Sequence, residues 1–238
     1  MKFSQNYKTR WHDTDAHRRV RPTQLLVYMQ ETSNRHLAHL GRSLDSLRDE
    51  EQLAFLLSRI KLEILAPLYA YEDITVSTWT SESKGFAFSR SYEIKRGDDI
   101  IAVADTTWAL LSLTTRQLCR ADSIEFGFEH ENRAELSIPQ RFCIPRSENL
   151  ELLGKRKIVY SDLDYNMHMN NTKYADMLCD FIPLDDVDRI KGISLSYLHE
   201  ASYGDDISIL CRKDDNKYDF RTENQDGTVC LEAEILLK

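Results

Sequence analysis

The stretch YSDLDYNMHMNNTKYADMLCD, residues 160–180, sets carboxylates, amides and an imidazole directly ahead of a helix-like pattern. Between residues 162 and 170 the polar side chains fall on every second residue, and the residues between them are Leu163, Tyr165, Met167 and Met169. If the chain is extended here, Asp164, Asn166 and His168 point to one side, because residues i, i+2 and i+4 of a strand share a face. A loop that only had to be soluble would not require this alternation, so the stretch is a candidate functional site.

An earlier stretch, WHDTDAHRRVRPTQLLVYMQE at residues 11–31, is a weaker copy of the first one. The two align without gaps at a constant offset of 149 residues. Three identical residues then coincide: Asp13, Asp15 and Thr23 fall on Asp162, Asp164 and Thr172. The same order of elements follows both stretches, which predicts one structural unit used twice.

Each copy leads into a helix pattern. In the first copy, Pro22 suits the first helical turn, and the helix should run to about Leu40. In the second copy, apolar residues within 174–182 recur at i, i+3, i+4, i+7 and i+8, which is one face of a helix. Asn170 or Asn171 can cap the start of that helix.

Strand-like runs, rich in β-branched and aromatic residues, follow each helix. In the first half they cover 53–64, 74–80, 86–94 and 100–113. In the second half they cover 190–198, 207–212, 218–222 and 228–237. We therefore predict an α+β fold of two similar domains, at 1–125 and 153–238, joined by a surface linker at 126–152.

Composition and charge exclude several classes of protein. The net charge of −8 argues against nucleic-acid binding. No apolar run approaches the ~20 residues of a membrane span, so no membrane insertion is expected, and the first residues lack a signal-peptide pattern. The five cysteines are scattered without a CxxC pair, which disfavours disulfides and zinc and favours a reducing cytoplasm.

Three explanations compete for the polar cluster. A calcium loop fails, because the position that must be Gly is Met167 and the position that must be a bidentate Glu is Lys173. A transition-metal site has too few soft ligands, since only one histidine accompanies the carboxylates. Beside this second explanation, the related one of a purely structural turn remains open, because Asp and Asn favour turns and caps. The third explanation is catalysis.

The cluster resembles the signature of a known family. DYNMH (164–168) followed by MNNTKYADM (169–177) is similar to the Asp-x-Asn-x-His-x-Asn-Asn-x-x-Tyr signature of acyl-acyl-carrier-protein (acyl-ACP) thioesterases. The resemblance covers nearly the whole chain: YMQETSNRHLAHLG (28–41) and TWALLSLTTRQ (107–117) resemble a helix and a strand of the family's first domain, and SYLHEASYGDDISI (196–209) its second active-site strand. It implies two tandem hotdog domains, each a long central helix wrapped by an antiparallel β-sheet.

Carried over residue by residue, the resemblance implies four catalytic residues, which are Asp164, Asn166, His168 and Glu200. Plant members often have Cys directly after that Glu, where this chain has Ala201. A thiolate nucleophile is therefore disfavoured, and direct attack by water is left.

These side chains suit thioester hydrolysis. We expect Glu200 to be the base, because a partly buried carboxylate takes a proton from water more readily. His168 would hold the water or orient the base, and Asn166 would offer its amide to the water or the thioester oxygen. Asp164 would fix His168 or Asn166.

Further residues are expected to bind the substrate. Backbone N–H groups around Asn170 and Asn171 would stabilise the oxyanion at the helix start. Leu25 and Met29 of the first half are candidate walls of the acyl pocket. The first half itself lacks the catalytic set, because His17 and Arg19 stand opposite Asn166 and His168, and Pro67 stands opposite Glu200.

The function that the resemblance implies is hydrolysis of acyl-ACP to free fatty acid and carrier protein, without metal or organic cofactor. Acyl carrier protein is acidic, so docking needs a local basic surface. The candidate clusters are Arg18, Arg19 and Arg21, then Arg116 and Arg120, then Lys155, Arg156 and Lys157. A homodimer is among the assemblies that the sequence leaves open.

Three rival functions remain. An acyl-CoA thioesterase would use the same fold and chemistry. A non-catalytic acyl-binding protein would not need the polar cluster. A DNA-binding lipid sensor would need a basic reading helix, which the chain does not have.

Overall fold

The structure is a computed structural model that describes residues 2–139, 142, 144–145 and 149–238. It divides into two compact units. The first comprises Met1–Ile60 with Leu65–Leu136, and the second comprises Lys61–Ile64 with Ser137–Lys238. Each unit combines an antiparallel sheet with helices, so the predicted α+β class is confirmed.

The first unit holds two helices and most of six strands. In chain order the elements are β1 (Phe3–Lys8), α1 (Pro22–His39), α2 (Leu44–Asp49), β2 (Leu53–Ile64), β3 (Asp73–Lys84), β4 (Ala87–Arg96), β5 (Asp99–Ser112) and β6 (Leu118–Cys119). The strands lie in the order β1-β3-β4-β5-β2, and β6 pairs with β5. The β1–β3, β3–β4 and β4–β5 pairs are antiparallel.

The core of the first unit forms on one face of α1. Pro22 takes the first helical position, where its missing N–H costs nothing. Leu25, Leu26 and Met29 are each at most 2% exposed, and Leu37 joins a cluster with buried residues of α2 and the sheet. The members of that cluster are Leu37, Leu47, Leu53, Phe88, Leu110 and Phe126. Burial of this face, more than helix propensity, stabilises α1.

The second unit repeats this arrangement. Its elements are β7 (Glu151–Lys157), α3 (Lys173–Cys179), α4 (Leu184–Val187), β8 (Ile190–Tyr197), β9 (Asp206–Asp214), β10 (Lys217–Glu223) and β11 (Val229–Leu237). The strands lie in the order β7-β9-β10-β11-β8, and each neighbouring pair is antiparallel. This is the order of the first unit, with β7, β9, β10, β11 and β8 replacing β1, β3, β4, β5 and β2.

The predicted strands agree with the structure to within a few residues at each end, and α1 ends one residue before the predicted limit. Five elements were missed, which are the helices α2 and α4 and the strands β1, β6 and β7. Of these strands, β1 and β7 lie at the sheet edge, where alternate side chains face solvent. Among the described residues, the helices include none that is long and apolar enough to cross a membrane.

The helix of the second unit is shorter than predicted. α3 stops at Cys179, and the chain turns before Pro183 begins the separate short helix α4. Proline disfavours a helical conformation at the residue before it, so the apolar pattern at 174–182 is divided between a helix and a turn. The buried face persists, since Tyr174, Met177 and Leu178 are each at most 2% exposed.

The stretch 126–152, predicted as a surface linker, is more structured than expected where it is described. Phe126 belongs to the core cluster of the first unit. Ile138 is 5% exposed and lies against Gly192 of the second unit. β7 already begins at Glu151. The rest of the predicted linker, residues 140, 141, 143 and 146–148, lies outside the described residues, and so does Cys143.

Candidate active site

The polar stretch forms a tight loop, not the extended strand that its alternation predicted. The N–H of Asp164 donates to the carbonyl of His168 at 2.8 Å. The Asp164 carboxylate oxygen Oδ1 accepts the backbone N–H of Asn166 at 2.8 Å and that of His168 at 3.4 Å. The turn places Met167 at φ 66°, a left-handed conformation that is uncommon for Met. The carboxylate of Asp164, rather than a shared strand face, therefore holds Asn166 and His168 next to Asp164.

The loop meets the segment that follows β8. The N–H of Met169 donates to the carbonyl of Ala201 at 2.8 Å, and His168 forms an antiparallel bridge with Ser202. His168 Nδ1 thereby lies 3.3 Å from Glu200 Oε2. The His168 side chain is 31% exposed and that of Glu200 is 61% exposed. The structure thus pairs two predicted site residues, but Glu200 lacks the partial burial that was expected for it.

The first unit contains the same loop without the same side chains. The N–H of Asp15 donates to the carbonyl of Arg19 at 2.8 Å, and Asp15 Oδ1 accepts the N–H groups of His17 and Arg19 at 2.8 and 3.0 Å. Arg18 has φ 64°, where Met167 has 66°. The offset of 149 residues therefore holds for the backbone hydrogen bonds as well as for the residue types.

The segment opposite this loop in the first unit corresponds to the segment around Ala201 in the second unit, as the sequence predicted. The N–H of Val20 donates to the carbonyl of Leu68 at 2.7 Å, as that of Met169 does to Ala201. Leu68 therefore corresponds to Ala201, and Pro67 to Glu200. With Arg19 in the place of His168, the first unit keeps the loop but not the imidazole–carboxylate pair.

Several backbone groups at the start of α3 already form hydrogen bonds within the protein. The N–H of Asn170 donates to the carbonyl of Asp162 at 2.8 Å. The N–H groups of Thr172 and Lys173 donate to Asn170 Oδ1 and to the Asn170 carbonyl, each at 2.9 Å. The Asn171 carbonyl accepts the Tyr197 hydroxyl at 2.8 Å. Asn170 and Asn171 thus fix the entry to α3, which weakens the predicted oxyanion role for their backbone.

The two proposed pocket walls lie in the first unit. Leu25 is 2% exposed and Met29 is 1% exposed, both on the buried face of α1. Their side chains are core residues, and any role in an acyl pocket stays a prediction.

The two buried cysteines of the second unit, Cys211 and Cys230, lack the environment of a catalytic thiol. Cys211 is 4% exposed, and burial raises the pKa of its thiol to about 12. Cys230 is fully buried, and burial also raises its pKa. Thiols with raised pKa values are poor nucleophiles near neutral pH. Ala201, at the position where plant members often have Cys, is 1% exposed.

Two residues near the loop were not assigned roles from the sequence. Asp162 is 2% exposed, pairs with Arg156 and accepts the N–H of Val159 at 3.0 Å. Its match to Asp13, whose carboxylate binds Arg10 and Tyr28, could have indicated this structural role. Tyr174 is also buried, and burial together with the charges of Cys230, Asp205 and Glu200 raises its pKa. Its hydroxyl therefore stays protonated close to the charge of Glu200.

Within the described ranges, no group of three His, Cys, Asp or Glu side chains is arranged to hold a metal ion.

Comparison with known proteins defines first a fold and then a family. The structure superimposes on an acyl-ACP thioesterase from Bacteroides thetaiotaomicron VPI-5482 with a TM-score of 0.89 at 20% identity, covering 100% of this chain and 98% of that chain. It matches a 12:0-ACP thioesterase from Umbellularia californica with a TM-score of 0.85 at 18% identity, covering 100% and 97%. These likenesses confirm the predicted hotdog-type fold.

The sequence then gives the family. Residues 1–124 match the family model of the acyl-ACP thioesterase N-terminal domain, and residues 150–236 match that of the C-terminal domain. The chain belongs to the acyl-ACP thioesterase family.

Known proteins with similar sequences point to the same family, although their sequence identity to this chain is low. A chloroplastic acyl-[acyl-carrier-protein] hydrolase of Cuphea viscosissima is 25% identical over 222 residues, covering 84% of this chain and 52% of the relative. The chloroplastic oleoyl-acyl carrier protein thioesterase 2 of Arabidopsis thaliana is 23% identical over 204 residues, covering 76% and 55%. The chain thus spans about half the length of these relatives.

Proposed function

We propose that the chain hydrolyses the thioester of acyl-ACP to a free fatty acid and the carrier protein, at the loop of the second unit. The observation that carries this proposal is the 3.3 Å approach of His168 Nδ1 to Glu200 Oε2 on a loop organised by the Asp164 carboxylate. The family relationship supports the choice of substrate. The matched loop of the first unit, with Arg19 and Pro67, supports a single active half.

Glu200 is the proposed base. Its exposed carboxylate takes the proton from a water molecule as that water attacks the thioester carbonyl. His168 donates through Nδ1 to the carboxylate and orients it, so that the pair acts as one unit. No covalent intermediate is needed, which agrees with Ala201 in the place of a thiol.

The amide of Asn166 is the proposed partner of the thioester oxygen. The N–H groups of Asn170, Thr172 and Lys173 already have acceptors, so the developing negative charge needs another donor, and the exposed side-chain amide of Asn166 is the proposed one. Asp164 acts at a distance from the chemistry: it accepts the N–H groups of Asn166 and His168 and so positions both side chains.

The carrier protein is proposed to dock at the end of β7. Lys155 and Lys157 are exposed there, whereas Arg156 between them turns to Asp162. The chain continues from β7 directly into the catalytic loop, so an acidic partner held by these lysines lies close to the site along the chain. This basic segment offsets the overall negative charge locally.

The decisive experiment compares thioesters side by side. Purified protein is assayed with acyl-ACP and acyl-CoA of the same chain lengths, together with Glu200→Gln and His168→Ala. Faster turnover of acyl-ACP, abolished in both variants, supports the proposal. Equal or faster turnover of acyl-CoA identifies an acyl-CoA thioesterase, and tight acyl binding with no turnover of any thioester identifies an acyl-binding protein.

The docking step has its own test. Lys155→Glu should raise KM for acyl-ACP and leave KM for acyl-CoA unchanged. Lys191→Glu makes the same charge change on an exposed residue at the far end of β8 and is the matched control. Equal effects of the two variants on acyl-ACP would remove β7 as the docking surface.

A further inference from the structure

Large apolar and aromatic side chains are exposed around the proposed active site. Tyr165 is 64% exposed, Met167 is 58% exposed and Tyr203 is 61% exposed. The first two belong to the loop that Asp164 closes, and the N–H of Tyr203 donates to the carbonyl of Met167 at 3.4 Å. These residues therefore lie in one part of the surface, and we call them the loop-tip patch. Single exposed apolar side chains are usual, but a group of them in one place is typical of an interaction site.

The first unit provides an internal comparison for this patch, because its loop has the same backbone hydrogen bonds. At the matched positions it has small or charged residues, which are Ala16, Arg18 and Ala70. Arg18 adopts φ 64° and Met167 adopts φ 66°, so the fold of the loop does not require an apolar side chain there. Of the two loops, the one that carries the patch is the one beside the His168–Glu200 pair. Folding therefore does not account for the patch, whereas a partner of that pair would.

The loop-tip patch adjoins the basic end of β7. Ile158 follows Lys157 and forms two backbone hydrogen bonds with the turn at 203–205, at 2.9 and 3.0 Å. Tyr203 begins that turn, so the patch and the lysines of β7 lie on neighbouring segments. The ion pair of Lys157 with Asp206, at 3.9 Å between exposed side chains, is weak in water. A partner that presents acidic and apolar side chains together thus matches this surface.

The proposed base lies open to water beside the patch. The Glu200 side chain is 61% exposed, and its partner His168 is bridged to Ser202, the residue before Tyr203. A carboxylate takes up a proton more readily when it is withdrawn from water. A protein seated on the patch would therefore make Glu200 a better base by covering it. A coenzyme A thioester presents no protein surface and would leave the patch in water.

We propose that the loop-tip patch seats the acyl carrier protein, and that this docking covers Glu200 and completes the active site. The inference rests on the hydrolysis proposed above and adds a second role for the carrier, which raises kcat besides delivering the acyl chain. Acidic side chains of the carrier meet the lysines of β7, and its apolar side chains meet the patch. An acyl-CoA reaches the same catalytic pair without covering it and is hydrolysed more slowly.

The first test replaces the patch by the residues of the first unit. The triple variant carries Tyr165→Ala, Met167→Arg and Tyr203→Ala, all of which the matched backbone already accommodates. In the wild type, kcat for acyl-ACP should exceed kcat for acyl-CoA of the same chain length. The triple variant should lower kcat for acyl-ACP by ~10-fold or more and leave kcat for acyl-CoA unchanged. Trp11→Ala, which removes an aromatic side chain of 56% exposure beside the loop of the first unit, is the control and should change neither.

The outcomes separate this inference from the function on which it rests. No preference for acyl-ACP in the wild type would overturn both. A wild type that prefers acyl-ACP, together with a triple variant of unchanged kcat, would keep the function and overturn the inference. A raised KM at unchanged kcat would also overturn it, because the patch would then hold the carrier without activating Glu200. Equal losses with acyl-ACP and acyl-CoA would show damage to the catalytic pair itself and would likewise overturn it.

Met167 gives a second readout that needs no turnover. Hydrogen peroxide converts an exposed methionine into its sulfoxide. The other methionines that the structure describes are each at most 3% exposed, and they are Met29, Met169 and Met177. An acyl-ACP analogue with an amide in place of the thioester should slow oxidation of Met167 by ~10-fold or more at saturation, and the matching acyl-CoA analogue should not. Mass spectrometry measures the rate, and equal rates with and without the carrier would overturn the inference.

Discussion

The N–H of Met169 donates to the carbonyl of Ala201 at 2.8 Å, and this backbone bond joins two segments that each carry one member of the proposed catalytic pair. His168 precedes Met169 and Glu200 precedes Ala201, so the bond sets the imidazole beside the carboxylate. The geometry of the site is thus determined by main-chain groups, and its chemistry by the side chains next to them. Substitutions of those side chains should therefore change activity much more than stability.

Glu200→Gln separates two roles within the pair. If Glu200 is the base, kcat should fall by ~10²-fold or more, because an amide cannot take the proton from water. If Glu200 only orients His168, the amide oxygen of Gln can still accept from Nδ1, and most activity should remain. Steady-state kinetics on a variant with an unchanged melting temperature decides between them, and near-normal turnover removes Glu200 as the base.

His168→Ala and Arg19→Ala form a matched pair, because the two residues occupy the same position of equivalent loops. Loss of the imidazole should cost ~10²-fold or more in kcat, whereas Arg19→Ala should change kcat by less than ~10-fold. His17→Ala is a further control at the position that matches Asn166 and should also stay below ~10-fold. If either control is as damaging as His168→Ala at equal stability, the model with one active half is wrong.

Asp164→Asn tests whether the aspartate acts through its charge or through its loop contacts. An Asn oxygen can still accept the N–H groups of Asn166 and His168, so kcat should fall by less than ~10-fold. Asp164→Ala removes the acceptor and should lower kcat by considerably more, since the loop then loses the group that holds both side chains. Equal losses in the two variants would show instead that the negative charge is needed. Hydrogen exchange of the His168 amide provides a readout independent of activity.

The sequence predicted the strands of the sheet centre well, because their apolar and β-branched runs are long and their register follows burial. It missed β1 and β7, since an edge strand needs only alternate burial, and short alternations also occur in loops. That ambiguity misled the interpretation of residues 164–168. Their alternation looks like a strand, but the side chain of Asp164 competes for the backbone N–H groups and closes a turn.

The grouping of the candidate residues, which the family resemblance implied, was predicted better than their environment. The structure places Glu200 beside His168 on the loop that Asp164 organises, and their catalytic roles stay a prediction. Exposure depends on which segments cover a side chain, and no local pattern reveals that. The expected burial of Glu200 was wrong for this reason, and so was the expectation that the N–H of Asn170 would be available to substrate.

Thiol-blocking reagents should leave hydrolysis intact. Cys211 and Cys230 are buried with raised pKa values, so they should react slowly, and Ala201 offers no thiol beside Glu200. Iodoacetamide treatment of the native protein, followed by mass spectrometry and an activity assay, checks this. Loss of turnover in step with modification of one cysteine would restore a covalent mechanism.

His36 should make the first unit sensitive to mild acid. Its folded pKa of about 4 lies below the unfolded value of ~6.5, so the unfolded chain binds a proton first as pH falls. Stability should therefore decrease between about pH 6.5 and pH 4, by up to about 3 kcal/mol, and should not change further on this account below pH 4. His36→Gln should flatten this part of the profile.

The measurement is urea unfolding followed by tryptophan fluorescence at pH 7.5 and pH 5. All three tryptophans belong to the first unit, and they are Trp11, Trp79 and Trp108. The signal thus reports on the unit that contains His36. An identical loss of stability in the wild type and in His36→Gln would assign the acid sensitivity to carboxylates instead.

The loops around Asp15 and Asp164 have the same backbone hydrogen bonds, so the rigidity of one loop can be compared with that of the other. The Arg19 amide lies 3.0 Å from the carboxylate oxygen of Asp15, and the His168 amide lies 3.4 Å from that of Asp164. Both amides belong to the same ring of hydrogen bonds, yet one ring carries the proposed catalytic pair and the other does not. If the ring around Asp15 opens more slowly than the ring around Asp164, the loop of the second unit is the more flexible of the two. That flexibility would let His168 and Glu200 adjust as a substrate arrives and a product leaves.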